Sequence, residues 1–351
     1  VDNTSGILKK LEDLKTTLVN AKAKRLVVLT HDNPDPDTIS CALTLQTLVQ
    51  KTCQISGILR YSGIVGRAEN REMIRLLKIK IKPLGKNDIR PGDAVALVDS
   101  QPFTGNVTLP EGLMPDIVID HHPLRKTTKS AFIDLQVESG ATATILSEYL
   151  LASGIEISSQ VATALCYGIS SETQHLGRGA TPRDAAVYSA LFVHANKKIL
   201  SQIENPKLPR DYFKTLNRGL HQAKLYKHAI VSNLGEIGAP DFVPIVADLL
   251  LKCERVSWSL VTGRYKSKIL VSIRTTRPSG DAGRFLRKIV GKLGTAGGHD
   301  MMAGGQVPCQ STDDIACDKT EHEIEMRFLK KLGFKEDGEL VPLLVTQNPA
   351  G

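Results

Sequence analysis

Short apolar runs and amphipathic stretches alternate along the first half of the chain. Residues 6–23 place Ile7, Leu8, Leu11, Leu14 and Leu18 at helical spacing, with lysines between them. Leu26-Val27-Val28-Leu29 is a continuous apolar run, as a strand buried on both faces requires. It gives way to a polar, proline-bearing segment, His31 to Asp37. The pattern predicts a helix from about Thr38 to Val49, then strands at Gln54–Leu59, Asp93–Val98 and Asp116–Ile119. An acid follows each of the last two. Helices are predicted near 140–152, 159–170 and 182–194.

Strands alternating with helices predict an α/β domain whose mainly parallel sheet is flanked by helices. Ligands of such sheets bind at the carboxyl ends of the strands. Residues 195–211 carry Asn196, Asn205-Pro206 and Pro209 without sustained periodicity, and read as a linker. The expected division is a domain at 1–197, a linker at 198–211 and a smaller α/β domain with a mixed sheet at 212–351. In the latter, helix 211–226 precedes strand 229–234 and helix 242–252. Val256–Thr262 and Lys268–Ile273 read as an antiparallel hairpin around Gly263. A helix at 281–291, a glycine-rich loop at 294–305 and a helix at 319–332 complete the prediction.

Composition changes this picture little. A chain of 351 residues exceeds what one hydrophobic core usually supports, in keeping with two domains. Basic residues outnumber acids by 45 to 37, a balance that favours anionic partners. No long Lys/Arg run marks a membrane-binding or long-duplex-binding tail. Every apolar stretch is far short of the ~20 residues that span a bilayer. The start has no basic segment leading into an apolar one, so a cytoplasmic location and no membrane association are expected. The six cysteines are scattered without a C-x-x-C pair, and reduced thiols are the expectation. A homodimer is expected from general frequency alone.

Four segments carry candidate chemistry. They are His31-Asp32-Asn33-Pro34-Asp35-Pro36-Asp37, Val98-Asp99-Ser100, Ile119-Asp120-His121-His122-Pro123 and Gly168-Ile169-Ser170-Ser171-Glu172-Thr173. Each alone has a plain structural account: a turn, a cap or a solvated acid. Together, three strand ends deliver carboxylates and imidazoles to one sheet edge. Carboxylates gathered there repel one another, and divalent cations remove that cost. Mixed imidazole and carboxylate ligands suit Mn²⁺, Fe²⁺, Co²⁺ or Zn²⁺, and the lack of cysteine ligands disfavours a structural zinc site. A carboxylate shared by two metals is an arrangement that activates water against phosphorus.

These segments resemble the DHH phosphoesterase superfamily, whose name motif stands here as Asp120-His121-His122. The superfamily includes RecJ-like nucleases, family-II pyrophosphatases and small oligoribonucleases that also dephosphorylate 3′-phosphoadenosine 5′-phosphate. Gly297-Gly298-His299-Asp300-Met301-Met302-Ala303-Gly304-Gly305 is similar to the G-G-H-x-x-A-x-G signature of the DHH-associated C-terminal domain. Its glycines would let backbone amides approach an anionic or ribose group. Gly297, Gly298, His299 and Arg274 are the candidate substrate contacts.

The resemblance implies two divalent metals, Mn²⁺ first, with Co²⁺ or Mg²⁺ as alternatives. His31, Asp35 and Asp99 would hold one; Asp37, Asp99, His121 and Glu172 the other. Asp120 would orient an imidazole, and His122 would contact the scissile phosphate and help protonate the leaving oxygen. Attack would come from metal-activated hydroxide in a cleft between the domains. One departure is plain: the family's fourth motif usually reads G-I-x-x-D-T, and Glu172 is one methylene longer. The segment Thr173 to Arg178 also lacks the phenylalanine usual in short-RNA nucleases.

The leading expectation is a phosphoesterase acting on short single-stranded RNA or DNA, or on small nucleotide phosphates. An inorganic pyrophosphatase or polyphosphatase is the alternative, although its lysine- and arginine-rich clamp signature is not found in 260–310. A nucleotide-binding regulatory module with weakened catalysis is a third reading, favoured only by Glu172.

Overall fold

The computed structural model describes residues 4–299, 301–309, 314–334 and 339–344. The chain divides into two compact units, Val1–Lys207 and Leu208–Gly351.

The first unit is built on β1 (Arg25–Leu29), β2 (Gly57–Tyr61), β3 (Ile81–Pro83), β4 (Asp93–Val98), β5 (Ile117–Asp120) and β6 (Phe132–Leu135). All are paired in parallel, in the order β3-β2-β1-β4-β5-β6. The central strands β1, β4 and β5 are aliphatic at successive positions because both faces are covered. Val27, Leu29, Val95, Leu97 and Val118 pack on one face. Leu26, Val28, Ala94, Ala96, Val98, Ile117 and Ile119 pack on the other, in the larger core. That core also takes residues of α1 (Thr4–Asn20), α2 (Pro36–Cys53), α3 (Ala68–Leu76), α4 (Thr142–Ala152), α5 (Ser159–Glu172), α6 (Pro182–Phe192) and α7 (Lys197–Glu204). The chain builds outward from β1 through β2 to β3, then returns to place β4 on the other side of β1. The β1/β4 junction is therefore the topological switch point, where connections leave the strand ends in opposite directions and open a crevice.

α7 occupies much of the stretch read as a linker. Asn196 is its N-cap rather than a breaker, and accepts from the Ile199 amide at 3.0 Å. Leu200 and Ile203 are buried in the first unit's core.

The second unit contains α8 (Arg210–Gln222), β7 (Lys224–Tyr226), β8 (Ala229–Glu236), α9 (Phe242–Leu250), β9 (Trp258–Tyr265), β10 (Lys268–Thr275), α10 (Ala282–Val290), β11 (Thr295–His299), β12 (Met302–Pro308), α11 (Asp314–Lys331) and β13 (Val341–Pro342). Its sheet runs β11-β12-β10-β9-β8-β7-β13, with β8 and β9 parallel and the other pairs antiparallel.

Three sequence expectations change here. The β9–β10 hairpin turns at Lys266-Ser267, and Gly263 lies within β9 opposite Leu270. A Cβ at Gly263 would come 3.0 Å from Val243 and 3.1 Å from Ile237, so its glycine admits α9 rather than a turn. The glycine-rich stretch at 294–305 forms the antiparallel pair β11–β12 instead of a loop. Finally, Cys309 and Cys317 are joined as a disulfide, while Cys41, Cys53, Cys166 and Cys253 are free. The bridge ties the end of β12 to α11, a tertiary pairing that cysteine spacing alone does not signal.

Candidate metal centre at the switch point

β1, β4 and β5 are neighbours in the sheet, so their carboxyl ends bring three polar segments together. Asp99 follows β4 directly. Its φ of +56° places it in the left-handed region that a side chain rarely adopts, and its amide donates to the Ile119 carbonyl at 2.9 Å. Such strain persists where the surrounding structure holds it. It turns the chain sharply at the strand end and leaves the Asp99 carboxylate buried.

Two imidazoles approach the two Asp99 oxygens. His31 Nε2 lies 3.7 Å from Oδ2, and His121 Nε2 lies 3.7 Å from Oδ1. Each ring is held from behind by a backbone carbonyl: His31 Nδ1 to Asp32 O at 2.9 Å, and His121 Nδ1 to Ser139 O at 3.0 Å. A carbonyl only accepts, so in the neutral rings Nδ1 carries the proton and Nε2 offers its lone pair. Among the described residues, nothing within hydrogen-bond reach takes the buried His121 Nε2. Asp35 caps α2, accepting from the Thr38 amide at 3.1 Å, and sets its other oxygen 3.5 Å from His31 Nε2. One side chain is thus both a helix cap and a candidate ligand.

Among the described residues, sets of three or more candidate ligand atoms within 4.8 Å of one another form two groups, His31-Asp35-Asp99 and Asp99-His121-His122. Asp99 belongs to both. His122 differs from the other imidazoles, because its Nδ1 is bound to Asp120 Oδ1 at 2.7 Å and its side chain is 47% exposed. Asp37 and Glu172 lie outside both groups. Asp37 is buried, and its oxygens accept from the Thr142 and Ala143 amides, at 2.9 and 2.7 Å, in the first turn of α4. A helix N-terminus is a natural seat for an anion. Glu172 is the last residue of α5, one turn beyond Gly168. A Cβ at Gly168 would stand 2.4 Å from Ser40 Oγ and 3.1 Å from the Pro36 carbonyl, so this glycine lets α5 cross closely over the start of α2.

The electrostatics follow from burial and crowding. Burial pushes the Asp99 carboxyl well up, and the Asp35 charge adds to it. Asp37 is pushed up by burial and by Asp99, and Glu172 by burial and by Asp35. Burial alone would lower His31, but Asp35 and Asp99 outweigh it and raise the ring to about 10. Asp35 moves oppositely: burial would raise it, yet His31 holds it down at about 2. Burial would also lower His122, but Asp120 and Asp99 raise it to about 9. Carboxylates at this density need cationic charge. Protons supply some of it, and a divalent ion bound here would displace them. A buried Nε2 lone pair with no hydrogen-bond partner among the described residues, beside carboxylate oxygens too distant to hydrogen-bond it, is a donor set that suits such an ion.

Three contributors were not singled out from the sequence. Thr142 donates its hydroxyl to Asp99 Oδ1 at 2.7 Å. Cys41 Sγ lies 3.5 Å from Asp37 Oδ1. Gln101 donates to Asp120 Oδ2 at 2.7 Å. None belongs to a spacing that marks a ligand.

The expected substrate contacts lie in the second unit. Arg274, on β10, is buried and engaged by Asp248 at 2.5 Å, Ser272 Oγ at 2.7 Å and the Ile273 carbonyl at 3.0 Å. Gly298 has φ +138°, and a Cβ there would approach Ala303 Cα to 2.5 Å, so strand packing alone requires glycine. Gly297 is different, because a Cβ there would meet nothing within 4 Å. His299 ends β11, and its side chain lies outside the described residues.

Residues 25–169 match the DHH family N-terminal domain and residues 227–325 the DHHA1 domain. An uncharacterized protein of Methanocaldococcus jannaschii is 34% identical over 351 residues, covering 94% of this chain and 71% of that protein. The chain belongs to the DHH family. As a DHH protein it is a hydrolase acting on phosphate ester bonds. A probable manganese-dependent inorganic pyrophosphatase of Deinococcus radiodurans is 30% identical over 160 residues, 45% of this chain and 50% of that protein. The fold is also that of an exopolyphosphatase-related protein from Bacteroides fragilis, with a TM-score of 0.71 at 14% identity over 93% of this chain and 98% of that one. Among the described residues, no helix of this DHH protein is long and apolar enough to cross a membrane.

Proposed function

We propose that this DHH protein hydrolyses small nucleotide phosphates or short single-stranded oligonucleotides, with two divalent ions, Mn²⁺ foremost. The observation that carries the reading is the shared Asp99, met on its two oxygens by imidazoles from two different strand ends. His31, Asp35 and Asp99 would hold one ion; Asp99, His121, Asp37 and Glu172 the other. When bound, the ions supply charge neutralisation at the phosphate and an acidified water. The chain's own work is to fix the ligands and to handle the leaving group. Asp120 holds His122 by its Nδ1, so Nε2 is left to face a phosphate oxygen and to carry a proton to it. Residues 1–197 would form the metal-binding part and residues 212–351 the substrate-binding part.

The substrate class is supported by the DHHA1 match and by the open surroundings of Gly297, where an added Cβ would meet nothing within 4 Å and a ligand group could come close to the backbone. The likeness to a pyrophosphatase supports a second reading, inorganic pyrophosphate as substrate. That likeness spans less than half of this chain, and 260–310 carries no lysine- and arginine-rich clamp signature. The test is a turnover screen with Mn²⁺, Co²⁺ and Mg²⁺ over short RNA, short DNA, nucleotide 3′,5′-bisphosphates and pyrophosphate. Release of mononucleotides or of phosphate from the bisphosphate is expected. Rapid pyrophosphate cleavage with no turnover of the others reverses the ranking.

A further inference from the structure

Gln101 is 1% exposed, two residues past Asp99, and its carboxamide is fully committed. Nε2 donates to Asp120 Oδ2 at 2.7 Å and to the Pro123 carbonyl at 3.2 Å, with the His122 carbonyl at 3.4 Å. Oε1 accepts from the Arg125 amide at 2.9 Å and the Thr128 hydroxyl at 2.7 Å. A primary amide has two N–H groups and two oxygen lone pairs, and the main partners use all four. The partners also fix which way it points, since acceptors lie on one side and donors on the other. No other side chain of this length offers both. A glutamate would set an acceptor against Asp120, and a leucine would satisfy neither side.

Asp120 is in turn the group that holds His122: Oδ1 accepts from His122 Nδ1 at 2.7 Å and from its amide at 3.2 Å, while Oδ2 is left to Gln101. The segment after His122 is exposed and carries Arg125, Lys126 and Lys129. Its described anchors to Gln101 are Pro123, Arg125 and Thr128.

We propose that Gln101 is a positioning residue for His122, locking the Asp120–His122 turn and the basic segment 123–129 into a single register. The proposal rests on the reading of His122 as the phosphate contact. Gln101 touches no reacting atom; it acts through Asp120 and the loop. Its N–H side aligns the imidazole and holds the loop at Pro123, and its oxygen side tethers the loop at Arg125 and Thr128.

The test compares Gln101→Leu and Gln101→Glu with the wild type, all loaded with Mn²⁺ and checked for equal metal content. A misplaced catalytic group costs about 100-fold, so Gln101→Leu should lower kcat by about that factor at unchanged KM. Trypsin should also cut it faster after Arg125, Lys126 and Lys129. Gln101→Glu keeps the acceptors for Arg125 and Thr128 and loses the donors to Asp120 and Pro123. It should show the kcat loss with trypsin cutting the loop more slowly than in Gln101→Leu, since two of its three anchors remain. Wild-type kcat in either folded, metal-loaded variant overturns the proposal, as does a kcat loss that only tracks lost metal. Equal trypsin sensitivity of Gln101→Leu and wild type overturns the loop tether. If the wild type turns over no phosphate ester, the proposed function fails, while the trypsin comparison still reads the tether.

Discussion

Thr142 offers the sharpest measurement of how the centre is held together. It is wholly buried; its hydroxyl donates to Asp99 Oδ1 at 2.7 Å, and its amide donates to Asp37 Oδ2 at 2.9 Å. Thr142→Val preserves shape and amide and deletes only the O–H. That hydroxyl favours the ionised form of Asp99, the form that binds metal, against the burial and the Asp35 charge that push its proton affinity up. Hydrogen bonds to charged groups contribute about 1.5–3 kcal/mol. At 1.4 kcal/mol per factor of ten, Mn²⁺ affinity should weaken by about 10–100-fold. Removing partners that orient metal ligands has effects of that size. Calorimetric titration of Mn²⁺ into metal-stripped wild type and variant reads this directly. Thermal melts serve as the control for folding, with Tm shifting by about 2–4 °C for each kcal/mol lost in a domain of this size. A folded Thr142→Val protein that binds Mn²⁺ as tightly as the wild type would refute the reasoning, because Asp99 would then not need that donor to act as a ligand.

Glu172 can be tested by length: Glu172→Asp should hold or raise Mn²⁺ occupancy and Glu172→Ala should lower it, and equal occupancy in the alanine variant removes Glu172 from the ligand set. Gly168→Ala forces a methyl to within 2.4 Å of Ser40 Oγ, an overpacking that costs about 1–3 kcal/mol, and an unchanged urea midpoint would contradict the close α2–α5 crossing. Asp184 is buried; burial would raise its carboxyl, but the Thr144 and Thr181 hydroxyls and the Thr181 and Gly140 amides outweigh it and hold it below the ordinary range. A depressed native value contributes stability that is present above the unfolded value of about 3.9 and lost as pH falls through the native one. Asp184→Asn should therefore cost about 1–3 kcal/mol near neutrality, with the gap from wild type closing at acid pH; a gap independent of pH would exclude the ionised carboxylate as its source.

The parallel sheet was legible in the chain because a strand covered on both faces must be apolar at successive positions, as Leu26–Leu29 and Ala94–Val98 are. Acids and imidazoles just past such runs marked the edge where chemistry could lie, and helix periodicity placed the cover. Short strands such as β3 and β13, of 3 and 2 residues, carry too few positions for a period to show. The glycines misled for a related reason. Gly263 and Gly298 are dictated by a neighbouring helix and a neighbouring strand, which local sequence does not contain.

What the sequence determined by itself was that the long apolar runs at β1, β4 and β5 form strands and which residue types end them. Only the tertiary structure decided that β4 returns beside β1, and so that Asp99 meets His31 and His121 rather than solvent. It alone supplied the partners that hold those ligands. Thr142 reaches Asp99 across 43 positions and Gln101 reaches Asp120 across 19. A hydroxyl or a carboxamide becomes specific to a site only when folding has closed those loops and buried it against a charge. That selection is a property of the packed interior, where an unmade hydrogen bond is costly, and no spacing along the chain encodes it.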